Sequence, residues 1–90
     1  MNRKIINNAL ASLSDGKTNL QDFITRASQL DPAISQALAG IYCGTCDKQI
    51  PTACATLHEP LEGTKYWLRV GWYADPNSTY PPKVEYAYIS

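Results

Sequence analysis

Histidine occurs once in this 90-residue chain, at His58, and methionine and phenylalanine also occur once each. A serine–histidine–acid triad therefore has a single place to be built, and no acidic constellation is legible around it. Surplus charge is missing too, since eight Lys and Arg balance eight Asp and Glu. Dedicated nucleic-acid binders carry a basic excess because phosphate neutralisation supplies most of their affinity; neutrality counts against that class. Long apolar runs are lacking. The start, MNRKIINNALASLSDG, is basic, but Asn7 and Asn8 interrupt it. The expectation is no secretion signal, no membrane span and a reducing cytoplasm. A glycine-rich phosphate loop is also missing.

What is present reads as one small globular domain over residues 1–90, with 44% apolar and 18% charged residues. A chain this short has a thin stability margin from its core alone. Residues 1–41 form the helical part. Ile5, Ile6, Ala9, Leu10 and Leu13 recur at helical spacing, and Gly16 stands where a glycine ends a helix. Thr18 with Gln21 reads as a capping box ahead of a second stripe, Leu20, Phe23, Ile24, Ala27 and Leu30. Asp31-Pro32 restarts a helix bearing Ile34, Ala37, Leu38 and Ile41, with Gly40 marking its end. All three stripes are expected to be core.

Residues 64–90 read as an antiparallel β-hairpin. In KYWLRVGWY, residues 65–73, alternation sets Tyr66, Leu68, Val70 and Trp72 on one face, and Lys65, Trp67, Arg69 and Tyr73 on the other. After the turn-rich ADPNSTYPP, the segment KVEYAYIS sets Val84, Tyr86 and Tyr88 opposite Lys83, Glu85, Ala87 and Ile89. The faces bearing Tyr66/Trp72 and Val84/Tyr88 are expected to pack on the helices. Trp67, Arg69 and Tyr73 then form either an exposed strip with the composition of a protein-binding hot spot or a second small core.

Every cysteine and the histidine fall within residues 42–60, as Cys43, Cys46, Cys54 and His58. Cys43-Gly-Thr-Cys46 has the spacing of a metal-binding knuckle, and Pro51 would open a short helix placing Cys54 and His58 on one face. Three thiolates and one imidazole suit a tetrahedral zinc. The spacing resembles compact single-zinc modules of the zinc-ribbon or treble-clef kind. Four protein ligands close the shell, so the expected ion is structural rather than catalytic. Zinc deaminases place H-x-E before P-C-x-x-C, the reverse of the order here. The rival reading of CGTC as a redox pair needs a strand before it and a βαβ setting, whereas a helix is expected to precede it.

The expected fold class is α+β: three N-terminal helices, a compact Cys3His zinc module and a C-terminal antiparallel β-hairpin. Three helices and a hairpin also outline a winged helix-turn-helix. Its reading helix, PAISQALAGIY, contains no lysine or arginine to hold phosphates, and none lies between Arg26 and Lys48. The expected function is non-catalytic binding of a protein partner through Trp67, Arg69 and Tyr73, as an adaptor or inhibitor. On size and composition alone, the inhibitor reading extends to a phage-encoded inhibitor of a host machine. The alternative is a zinc-containing nucleic-acid-binding regulator using the hairpin aromatics with Lys65, Arg69 and Lys83.

Overall fold

Asn2 opens the first helix because its side-chain oxygen accepts the free Ile5 N–H at 3.1 Å. In a computed structural model of the chain, residues 2–46, 54–73 and 82–90 are described, the side chains of 40–46 and 54–55 excepted. Helix α1, Arg3–Leu13, buries Ile6 and Leu10. It ends before a tight loop in which Gly16 takes φ 78°, a conformation glycine adopts without a Cβ penalty. Asp15 holds that loop by accepting the Lys17 and Thr18 N–H groups at 2.9 and 3.0 Å. Those bonds lower its pKa below the ordinary carboxylate value.

Helix α2, Leu20–Ala27, buries Leu20, Phe23, Ile24 and Ala27. Its cap is Asn19, which accepts from Asp22 N–H at 2.8 Å, and not the expected Thr18. The Thr18 carbonyl is used instead by the Val84 N–H, at 3.0 Å. Leu30 belongs to the turn after α2 and is exposed. Helix α3, Pro32–Cys46, starts as expected, with Asp31 accepting the Ala33 N–H at 2.9 Å. It buries Ile34 and Leu38. Gly40 does not end it. The helix runs through Cys43 and Cys46, so the reversing knuckle expected there is replaced by helical backbone.

The helix expected to carry Cys54 and His58 is likewise replaced. Cys54–Pro60 form strand β1, which pairs antiparallel with β2, Trp67–Tyr73. Seven residues of β1 find ladder partners there, from Cys54 opposite Tyr73 to Pro60 opposite Trp67. That pairing outweighs the local helical preference. Strand β3, Lys83–Ile89, pairs antiparallel on the other side of β2, giving the order β1-β2-β3. Among the described residues the fold is therefore α+β, three helices with a three-stranded antiparallel sheet. The described part of 42–60 is the end of α3 and strand β1, and no zinc module is shown among the described residues; Pro51 and residues 74–81 of the turn-rich loop before β3 lie outside them.

The core lies between the helices and one face of the sheet. Leu68, Val70 and Trp72 from β2, Val84, Ala87 and Ile89 from β3, and Leu61 meet the buried helical residues. Tyr66 packs at the border, with Arg3 and Lys65 lying 5.8 and 5.7 Å from its ring centre. Among the described residues, no helix is long and apolar enough to cross a membrane.

Candidate functional site

The opposite face of the sheet is built by the residues that alternate with the core. On β2 these are Trp67, Arg69, Gly71 and Tyr73; on β1, Thr56, His58 and Pro60 lie across from Gly71, Arg69 and Trp67. Strand β3 departs from simple alternation. Tyr86 lies opposite Gly71 and Val84 opposite Trp72, which leaves Glu85 as an extra residue in a bulge. The bulge reverses the phase of the strand. Ala87 and Ile89 join Val84 inside, while Tyr86 and Tyr88 turn outward, against the expectation that packed Val84 and Tyr88 together.

The outer face is therefore more aromatic than alternation alone implies. Trp67 is 43% exposed, Tyr73 49%, Tyr86 40% and Tyr88 41%. The His58 and Trp67 rings lie 4.7 Å apart at 49°, and the Tyr86 and Tyr88 rings 6.0 Å apart at 37°. Both separations fall in the range of favourable tilted aromatic pairs. Arg69 sits between His58 and Tyr88 in the ladder, and its Nε donates to Ser90 Oγ at 3.3 Å. Lys83 pairs with Tyr73, and its ammonium donates to the Lys17 carbonyl at 3.0 Å. Glu85 stands exposed at the bulge, beside Tyr86 in the chain.

Gly71 is the hinge of this surface. A Cβ built there would collide with the outer edge of the Tyr86 ring, so the ring packs against bare backbone at that point. A glycine within a strand signals close approach or a bulge. That was the one signal in the sequence that pointed to Tyr86 and Tyr88, and it named neither residue.

Trp67, Arg69 and Tyr73 thus share one face with His58, Tyr86 and Tyr88. The four zinc candidates are placed differently. Cys43 and Cys46 stand three apart at the end of α3, close enough along a helix to be neighbours. Cys54 begins β1, and His58 lies exposed four residues along the same strand. Four residues of extended strand span about 13 Å, whereas donor atoms on one zinc each lie about 2 Å from it. Extended β1 therefore removes the helical arrangement that brought Cys54 and His58 to one ion. Among the described residues no three His, Cys, Asp or Glu side chains gather; the cysteine side chains are not among those described.

A concavity lies on the helical side, between α3 and β1. It is an open cleft of about 410 Å³ lined by Ala33, Gln36, Ala37, Glu59, Pro60 and Glu62. No family model matches this chain, nor does any curated protein or solved structure, and what its outer face does is read from the geometry.

Proposed function

We propose that this protein is a non-catalytic domain that docks another protein against the outer face of its sheet, acting as an adaptor or inhibitor in the cytoplasm. The observation that carries the reading is the grouping of four aromatics, each at least 40% exposed, around Arg69 on one sheet face. Large rigid rings lose little conformational entropy on docking, and Trp, Tyr and Arg dominate binding hot spots. Contiguous exposed apolar surface of this kind marks interaction sites. One structural zinc belongs to the same proposal. Cys43, Cys46, Cys54 and His58 are its candidate ligands, and His58, about 13 Å of extended strand from Cys54, is the one to test first.

Affinity capture with the purified protein as bait tests the docking face. Trp67→Ala should keep its secondary structure and thermal midpoint yet bind the captured protein roughly thirtyfold more weakly, the loss of about 2 kcal/mol expected at a hot spot. Unchanged affinity would remove the outer face from the interface. The same aromatics with Arg69, Lys65 and Lys83 also suit stacked, unpaired bases. Retention on single-stranded nucleic acid that collapses as salt rises would replace the protein partner with that reading.

A further inference from the structure

The two edges of the sheet are treated differently by the chain. On the β3 edge, Asn7 stands in for a neighbouring strand. Its side-chain oxygen accepts the Ile89 N–H at 2.7 Å, and its amide donates to the Ile89 carbonyl at 3.1 Å. Further along, Val84 donates to Thr18 and accepts from Gly16, both at 3.0 Å. That edge is occupied from within.

The β1 edge is not, among the described residues. Trp67 exchanges both backbone hydrogen bonds with Ser90, at 2.9 and 3.0 Å, so its peptide groups face β3. Alternation then turns Leu68, Val70 and Trp72 toward β1, where their ladder partners are Glu59, Leu57 and Ala55. The Leu61 N–H bonded to the Tyr66 carbonyl at 2.9 Å keeps the same phase. It follows that Thr56 and His58 direct both backbone groups away from the sheet. Pro60 has the same phase, so the donor it lacks is one the sheet does not use.

We propose that this edge pairs antiparallel with β1 of a second copy, centred on Leu57, to make a symmetric dimer with a continuous six-stranded sheet. In that register Thr56 exchanges both backbone hydrogen bonds with His58 of the second copy, and the reverse. Cys54 N–H meets the Pro60 carbonyl, so the missing donor of Pro60 leaves one acceptor unmet instead of breaking the ladder's centre. Side chains agree with the backbone. Half-buried Leu57 meets Leu57 of the second copy on the inner face, where it already packs on the core. Glu59 falls opposite Ala55 and His58 opposite Thr56, so no like charges are directly apposed. The register uses all seven residues of β1. It is self-complementary about a two-fold axis, as closed homodimers require. The cleft beside Glu59 and Pro60 leaves open space on the inner side of that edge.

A strand pair of this length buries less than a standard interface, so the dimer should dissociate on dilution. Sedimentation equilibrium and amide hydrogen exchange on the intact protein at low and high concentration test the proposal. The expected result is twice the monomer mass at high concentration, with Thr56 and His58 N–H groups becoming protected only there. Leu57 and Glu59, bonded within the sheet, should be protected at both concentrations. Thr56→Pro removes only an outward donor, so it should keep the monomer's circular dichroism and thermal midpoint and abolish dimerisation. If Thr56→Pro unfolds, the wild-type exchange pattern still decides. A monomer throughout, protection of Thr56 and His58 in the monomer, or a dimer that leaves both amides in fast exchange would each overturn the assignment.

Discussion

At Gly71 a missing side chain decides what the surface looks like. The Tyr86 ring lies where a Cβ would go, and it is the outer end of that ring which fills the space. Gly71→Ala must therefore push the ring off the strand and separate it from Tyr88. Because Tyr86 is partly exposed it has room to swing, and the cost should sit near the low end for overpacking, about 1 kcal/mol. Urea denaturation gives the stability change, and loss of the ring-to-ring nuclear Overhauser contacts between Tyr86 and Tyr88 reports the displacement. An unmoved Tyr86 ring in the variant would show that the ring does not lie over Gly71. Asn7 is the converse case, a side chain that substitutes for backbone. Asn7→Ala strands the Ile89 N–H and carbonyl in a half-buried setting and should cost about 1–3 kcal/mol. Asn7→Asp keeps the acceptor for Ile89 N–H and should lose less. Denaturation midpoints, with Ile89 amide exchange as the local probe, separate the two; equal losses would deny the Ile89 N–H its dominant share.

Among the elements, the helices were legible where their signals are local. The stripes of α1 and α2 and the Asp31-Pro32 start of α3 are properties of neighbouring residues, and the buried residues Ile6, Leu10, Phe23, Ile24, Ile34 and Leu38 all belong to them. Gly40 misled because a glycine costs only about 1 kcal/mol inside a helix. Asn19 took the cap from Thr18 because the Thr18 carbonyl pairs with β3, a contact 66 residues away along the chain from Val84 that no local motif encodes. The inward residues of β2 were readable from alternation, and with them the outward Trp67, Arg69 and Tyr73. The outward Tyr86 and Tyr88 were not. One extra residue at Glu85 exchanges the two faces of everything after it, since the period of a strand is two.

For the whole molecule the consequence is a separation of duties. All three helices lie on one side of the sheet, and the aromatic face on the other is free of helices among the described residues. The zinc proposal is tested at this scale, because metal binding to a small domain is also folding free energy. Structural zinc supplies roughly 10–16 kcal/mol of apparent binding energy in finger peptides, against a typical total stability of about 5–15 kcal/mol. Native mass spectrometry of freshly purified protein should find one zinc per chain. Cys46→Ser should lose both the ion and much of the fold, whereas His58→Ala should keep the ion, since extended β1 holds His58 away from Cys54. Loss of zinc from His58→Ala would restore the four-ligand set and require β1 to start later than Cys54. Folded wild-type protein without metal would remove zinc from the proposal.

The sequence by itself determined the buried helical residues Ile6, Leu10, Phe23, Ile24, Ile34 and Leu38, the start of α3 and the phase of β2, because each follows from spacing between residues near one another in the chain. It also gathered Cys43, Cys46, Cys54 and His58 into one short segment. Only the tertiary structure decided that Cys54–Pro60 is a strand, that α3 runs to Cys46 and that Tyr86 and Tyr88 face outward. The strand and the outward tyrosines depend on pairing with β2. A seven-residue ladder outweighs a short segment's own helical preference, and the contact between Gly71 and Tyr86 exists only once distant strands are in register.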